Sequence, residues 1–414
     1  MNLAWISIAA LVTAVVLSCT TAINVGVLSL AMALMVGVYF GGMSVGAVLQ
    51  GFPTPLFITL IGVTLLFAIA ECNGTLARVT GAAVRVCRGH AGILPIMFFG
   101  LGLIIATIGA GATPASALLA PPAMAVAGRA GIPALLMAIM AGNGALAGTL
   151  SPFAPTGIVA NGVMERIGLG GYEWQTFAYN ALAHTFVGVT GFLVLGGWRL
   201  FKRRDTTVVQ AEDPDAGPMD RRHWLTVGGI VALILAVAGF GMDVGMTALI
   251  IAATLTLLRT VDEAKAIQRM PWGVILMVTG VSVLIAMLEK TKGLELFATG
   301  LANISTPASV APIVAFGTGM VSVYSSTSGV VLPAFLPMVP HLAERLGGIQ
   351  PLPIAWSMNI GASLVDLSSL STVGALFMAG AAPGTDTRAL FNGLLLWGMS
   401  MAIVGALVCW VLFG

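Results

Sequence analysis

Asn143-Gly144-Ala145, running on to Ser151-Pro152-Phe153-Ala154-Pro155-Thr156-Gly157, has a counterpart about 217 positions later. There the chain reads Asn359-Ile360-Gly361-Ala362 and then Asp366-Leu367-Ser368-Ser369-Leu370-Ser371-Thr372-Val373-Gly374. Each stretch is an apolar helical pattern interrupted mid-segment by Ser, Thr, Pro and Gly. In a membrane-spanning chain, interrupted helices at corresponding positions of two halves are the best sequence pointer to a transport site.

The surrounding composition makes this a membrane chain. Of 414 residues, 58% are hydrophobic and 8% charged, with a mean hydropathy of +1.01, whereas soluble domains are about a quarter charged. Apolar runs that span a bilayer with their neighbours recur throughout, as at 57–70, 186–197, 224–239 and 390–413. The first segment has neither a basic n-region nor a small-residue cleavage site, so no cleavable signal peptide is expected. A net charge of +2 without a basic, aromatic-interleaved stripe gives no nucleic-acid signal. Cys19, Cys72, Cys87 and Cys409 lack metal-type spacing and read as small apolar residues. No catalytic Ser/His/Asp set, metal-ligand cluster or Walker loop points to an enzyme.

One polar connector, residues 199–223, divides the chain into a first unit (1–198) and a second (224–414) of similar length. The two resemble one another in order. Asn24-Val25-Gly26 and Asp243-Val244-Gly245 open equivalent helices, and Gly62-Val63-Thr64 leading to Glu71 matches Gly280-Val281-Ser282 leading to Glu289. Each unit then has a Gly/Ser/Thr-rich stretch, a proline-bearing segment and the interrupted helix. A repeat this long is no solenoid and fits a duplicated transporter unit.

Ten crossings are expected, near 3–20, 24–42, 54–73, 133–164, 178–198, 224–239, 244–258, 272–289, 353–380 and 390–413. Segments 92–128 and 307–342 read as re-entrant hairpins. With both termini outside, 14 Lys and Arg fall inside and only Arg166, Lys290, Lys292 and Arg345 outside, a strong positive-inside bias. Five crossings per unit is an odd number, so the second unit is expected upside down relative to the first. The expected fold is therefore an all-α polytopic inverted repeat whose hairpin tips meet near the midplane. Non-helical backbone at that depth has to be buried in protein or line a wet cavity.

The tips, Gly111-Ala112-Thr113-Pro114-Ala115-Ser116 and Ser325-Ser326-Thr327-Ser328-Gly329, and the breaks supply the candidate ligands. Small hydroxyl residues let backbone approach a ligand closely; amides at a helix start favour a carboxylate, carbonyls at a helix end a cation. Thr113, Ser116, Ser151, Ser325, Ser326, Thr327, Ser371 and Thr372 are the expected substrate contacts. Gly111, Asn143, Pro152, Thr156, Asn359, Asp366 and Ser368 are the expected surroundings of Na⁺, which suits hard oxygen ligands, with H⁺ as the alternative. Asp366 is the one acid well inside a predicted crossing, and such a group is functional by default. Asn143 and Asn359 serve equally well as helix-packing amides. Glu71 and Glu289 read as solvated anchors, and His184 as a satisfied histidine rather than a proton relay. With no intramembrane Arg or Lys to meet an anion, carboxylate recognition falls to amides, hydroxyls and bound cations.

Several of these residues resemble those of a known family. Ile23-Asn24-Val25-Gly26, Phe52-Pro53, 65–70, Asn73-Gly74-Thr75, Ser151-Pro152 and Gly157 are similar to MatC-type malonate/dicarboxylate carriers. In the second unit, Met287, Glu289-Lys290, Ser325-Ser326-Thr327, Val365-Asp366 and 371–376 continue the resemblance. More distantly the chain is similar to divalent-anion:sodium symporters of the ion transporter superfamily. That kinship implies a homodimer working by an elevator motion driven by Na⁺, and malonate as substrate. Those symporters carry Ser-Asn-Thr at each tip, whereas Gly111-Ala112-Thr113 and Ser325-Ser326-Thr327 stand here, as a shorter or differently held dicarboxylate would allow. Cation-coupled uptake across a bacterial inner membrane is the expected activity. The membrane subunit of a tripartite carboxylate system and a proton-coupled organic-anion carrier are the alternatives.

Overall fold

Asn24 and Asp243 each cap a helix start. The Asn24 side chain accepts from the amides of Gly26 and Val27, and Asp243 from that of Met246, so donors otherwise orphaned at the helix start are satisfied. Val25–Leu34, extended as a wider turn to Phe40, and Val244–Leu257 follow these caps. The structure, a computed structural model, describes residues 3–20, 23–78, 91–202 and 218–414. Arg85, Cys87, Arg88, Arg203 and Arg204 lie outside the described residues, as does most of the connector.

Among the described residues every regular element is a helix. Six helices are long and apolar enough to cross a membrane: Thr54–Cys72, Ile93–Ala110, Glu173–Val194, Trp272–Lys290, Pro351–Ala379 and Thr387–Phe413. The shorter apolar helices include Val25–Phe40, Ala134–Ala147, Val244–Leu257 and Val310–Val323. Each of the ten expected crossings corresponds to helix. The fifth starts at Glu173 and ends at Val194, earlier than its apolar run suggested, because Gly196 turns left-handed at φ 77° and stops it. Three short helices had no counterpart in the expected spans: Val45–Leu49, Glu263–Arg269 and Gly293–Asn303. Ser44 caps the first and Asp262 the second. All three link longer helices.

Helix pairing follows a reciprocal pattern. Val25–Leu34 packs on Trp272–Lys290, and Thr54–Cys72 packs on Val244–Leu257. The same exchange is visible at single glycines. A Cβ on Gly280 would strike the Gly26 carbonyl and one on Gly26 the backbone of Leu276 and Met277, while a Cβ on Gly62 would strike the Gly245 carbonyl and one on Gly245 the Thr59 backbone. Small residues at such crossings let backbones touch where lipid offers no hydrophobic drive for association.

Two helical hairpins lie between these pairs. The first rises through Ile93–Ile105 and Ala106–Ala110, turns at Gly111, and returns as Ala112–Arg129. Gly109 and Gly111 make the turn with φ of 128° and 78°, values open to glycine at little cost. The second rises through Val310–Tyr324, opens at extended Ser325 and Ser326, and returns in short pieces from Thr327 to Arg345. Ser326 accepts from the Gly329 amide and so starts the return arm.

The interrupted helices are Ala134–Ala147 with Pro155–Arg166, and Pro351–Leu364 with Thr372–Ala379. They restart by different chemistry. Pro155 occupies the first turn of its limb, where a missing amide costs nothing. Ser371 instead caps Thr372–Ala379 by accepting from the Gly374 amide at 3.2 Å. In both, a glycine one turn into the new limb, Gly157 or Gly374, lies against the carbonyl of the break serine, Ser151 or Ser368.

Candidate functional site

The distal limb of each interrupted helix packs on the hairpin of the other half. Thr372–Ala379 lies against Ala112–Arg129, and Pro155–Arg166 against Thr327–Val331 and Leu332–Phe335. This exchange brings both tips and both breaks to one place. They line a cavity of about 290 Å³. Thr113 comes from the first tip, Ser325 and Thr327 from the second, Thr156 from the first break, and Asp366 and Ser371 from the second. Ser326 and Thr372 also line it.

No Lys, Arg or His is among the lining residues, and Asp366 is the one charged group there. Its carboxylate accepts from Thr327, whose Oγ1 lies 2.7 and 2.8 Å from the two carboxylate oxygens. Ser322, buried one turn before the tip, stands 3.4 Å from Asp366 Oδ1 and also contacts the Thr327 hydroxyl. The Asp366 main chain is fixed separately, since Ser371 Oγ donates to its carbonyl and to that of Ser368, the latter at 2.8 Å. The acid therefore hangs from a braced turn and reaches across to the hairpin.

The remaining expected site residues stand behind the cavity wall. Ser151 is buried and donates to the Thr107 carbonyl at 2.6 Å, tying the break to the first hairpin. Gly111 shapes the tip, with Pro155 against it. Ser116 lies buried one turn into the return arm, and Pro152 sits in the break between buried Ser151 and Phe153. Ser368 is buried, accepts from the Leu370 amide at 3.3 Å, and packs on Gly398. Asn359 is buried with its amide 3.6 Å from Met164 Sδ and its carbonyl oxygen without a partner.

Asn143 belongs to a polar network that sequence reasoning saw only in part. Its amide donates to the Ile139 carbonyl, and its Oδ1 lies 3.0 Å from His184 Nδ1. His184 Nε2 is 3.4 Å from Ser363 Oγ, and Ser363 donates to Asn180 Oδ1 at 2.6 Å. Asn180 in turn donates to the carbonyls of Leu146 and Ala147, at 3.0 and 3.3 Å, where the first helix breaks. The network thus joins the two interrupted helices through Glu173–Val194 and occupies carbonyls that the break releases. His184 is buried between Asn143 and Ser363, with a polar atom within reach of each ring nitrogen. Asn180 and Ser363 carried no local motif: a lone amide or serine in an apolar run gives no sign of what it faces. Glu71 is exposed as expected, with Arg269 3.9 Å away.

The comparisons with known proteins agree with this architecture. Residues 1–149 match the family described as dicarboxylate carrier protein MatC N-terminus. That stretch is similar to the N-terminal region of MatC-type carriers. It runs from the first helix through the first tip to the first break, so Thr113 and Thr149 of the cavity wall lie inside it. Among solved structures, the YdaH transporter of Alcanivorax borkumensis, described as having an unusual topology, superposes with a TM-score of 0.64 at 16% identity. The match covers 91% of this chain and 88% of that one. At that identity the likeness concerns the fold. No curated protein matches the sequence. The chain is helical, with six helices among the described residues long and apolar enough to cross a membrane.

Proposed function

We propose that this protein is a secondary active transporter that takes up a small dicarboxylate, malonate in the first instance, together with Na⁺. The observation that carries the reading is the single cavity lined by both hairpin tips and both helix breaks. Its 290 Å³ lies at the small end of the range of ligand pockets, about 300–1,000 Å³, which suits a short diacid. Hydroxyls of Thr113, Ser325 and Ser326 and the amides beside them are suited to the two carboxylates. The first tip reaches one end of the diacid and the second tip the other. Without a lining Lys or Arg, a dianion beside Asp366 needs accompanying cations, which favours symport over exchange on a basic clamp.

The reciprocal pairing of helices and of Gly26–Gly280 with Gly62–Gly245 supports an inverted two-fold relation between the halves. Each unit contributes one re-entrant hairpin and five crossings in this reading, with both termini periplasmic in a bacterial plasma membrane, as the positive-inside bias favours. Hairpins and interrupted helices then form a moving body, and the helices before them a scaffold. Transport is an elevator motion of the first past the second, and a homodimer holding the scaffolds together is what the distant similarity to divalent-anion:sodium symporters implies.

The test is uptake by purified protein in liposomes. Saturable malonate uptake that needs an inward Na⁺ gradient supports the reading, and its failure without an added binding protein and small membrane partner would point to a tripartite system. Uptake driven by a pH gradient alone would replace Na⁺ with H⁺.

A further inference from the structure

We propose that the groove between the end of Thr54–Cys72 and the short helix Glu263–Arg269 holds the headgroup of a phospholipid bearing a phosphate and a primary amine. The site is separate from the transport cavity and requires only that the chain spans a bilayer. Thr54–Cys72 packs on the short helix. Between them lies a second cavity of about 560 Å³, lined by Glu71, Cys72, Lys265, Gln268 and Arg269. Lys265 and Arg269 stand four residues apart and so share one helix face, with Glu71 on the neighbouring helix.

The charges in this groove are underused. Arg269 Nη1 lies 3.9 Å from Glu71 Oε1, and Lys265 Nζ lies 3.9 Å from Asp262 Oδ2. Charge-assisted hydrogen bonds run at about 2.7–2.9 Å, so both pairs attract without closing a bond. The Arg269 and Glu71 side chains are 69% and 44% exposed and keep hydrogen-bonding positions open to a ligand. A phosphate fits the cationic side, where the guanidinium fork takes two oxygens and the Lys265 ammonium a third. A primary ammonium has three donors and fits the Glu71 carboxylate, which only accepts. A ligand with both groups meets each charge lining the groove and adds no net charge.

Position points to a lipid. Thr54–Cys72 ends at the groove, the short helix follows Val244–Leu257, and Trp272–Lys290 begins just after it. The Trp272 indole donates to the Ile267 carbonyl at 2.8 Å, and tryptophans at the ends of spanning helices sit at headgroup level. Leu257 and Leu258, in the turn that leads to the short helix, are exposed and offer apolar surface to acyl chains.

The groove is built once. At the positions 218 away in the repeat, Lys265, Gln268, Arg269, Glu71 and Cys72 are replaced by Ala47, Gln50, Gly51, Glu289 and Lys290. There the one cation is spent on backbone, since Lys290 Nζ donates to the Ala47 carbonyl at 2.7 Å. A positive-inside bias accounts for cations at one end of the molecule. It does not account for a carboxylate sharing a cavity with them.

The experiment is a thermal-stability titration of the purified, delipidated full chain in detergent, using dioctanoyl phospholipids. Phosphatidylethanolamine is expected to raise the melting temperature saturably. Its midpoint should lie at least about tenfold below those of phosphatidylglycerol, which lacks the amine, and phosphatidylcholine, whose amine has no N–H. Arg269→Gln should raise that midpoint by about tenfold or more, and Glu71→Gln should erase the preference over phosphatidylglycerol. Arg345, an exposed cation that does not line the groove, is the control. Arg345→Gln should leave the midpoint within about threefold. Melting without lipid reports whether each variant is folded. Equal wild-type midpoints for phosphatidylethanolamine and phosphatidylglycerol, or a folded Glu71→Gln protein that keeps the preference, would reduce the site to general basic attraction and overturn it. Free phosphoethanolamine that saturates at the lipid's midpoint would overturn the lipid assignment, whereas saturation only at far higher concentration supports it.

Discussion

Thr327 bridges both carboxylate oxygens of Asp366, at 2.7 and 2.8 Å, and so ties the second hairpin tip to the second helix break. Position 149, equivalent to Asp366 in the first half, is a threonine. The two ends of the cavity therefore differ in charge although they share a backbone plan. In the proposed reading, coupling to a cation belongs to one end and plain carboxylate recognition to the other. In uptake assays, Asp366→Asn should abolish the dependence of malonate transport on the Na⁺ gradient. Retention of full gradient dependence would remove Asp366 from coupling.

Thr113 is exposed to the cavity at the first tip, so its loss should weaken binding without unfolding the protein. Thr113→Val is expected to raise the KM for dicarboxylate by about tenfold, as one hydrogen bond to a charged group contributes about 1.5 kcal/mol or more. Melting temperature should change little. A KM unchanged from wild type would show that the first tip holds the substrate by other atoms.

His184 has the opposite profile. It is buried between Asn143 and Ser363 and does not line the cavity. His184→Ala leaves buried partners unsatisfied, at about 1–3 kcal/mol, plus the void of the lost ring. Lower thermal stability is expected, with the Na⁺ dependence of malonate uptake retained in the surviving folded protein. A stable variant that has lost Na⁺ dependence would instead make His184 part of coupling.

Gly26 and Gly62 should behave as a pair. An added Cβ meets backbone rather than a flexible side chain at both positions, and the same holds at Gly280 and Gly245. Alanine at any of the four is expected to lower the yield of monodisperse protein or its melting temperature by similar amounts. Gly46, which has open space around it, is the control, and Gly46→Ala should be tolerated. Tolerance at Gly26 but not at Gly245 would contradict reciprocal packing of the halves.

Much of this architecture was legible because lipid simplifies the rules. Apolar runs must become helices, so the order of helical segments could be read from stretches such as 54–73 or 390–413 without tertiary knowledge. Breaks at Ser151-Pro152 and Ser368-Ser369 stood out because hydroxyls and prolines are conspicuous in an apolar run. Side-chain direction was not legible. Ser151 and Ser371 looked alike in sequence, yet Ser151 is buried behind the wall and Ser371 lines the cavity. That choice depends on how each limb rotates against the opposite hairpin, a tertiary property. Asn180 and Ser363 were missed for the same reason. Short helices such as Gly293–Asn303 escaped because they are too short to show a spanning pattern.

Counterflow in liposomes tests the central claim most directly. Purified protein is reconstituted alone, the vesicles are loaded with unlabelled malonate in Na⁺ medium, and entry of labelled malonate is followed. The account predicts a transient accumulation that is saturable, competed by short dicarboxylates more than by monocarboxylates, and lost when choline replaces Na⁺. Accumulation that persists unchanged in choline at constant pH, or a preference for monocarboxylates, would contradict it.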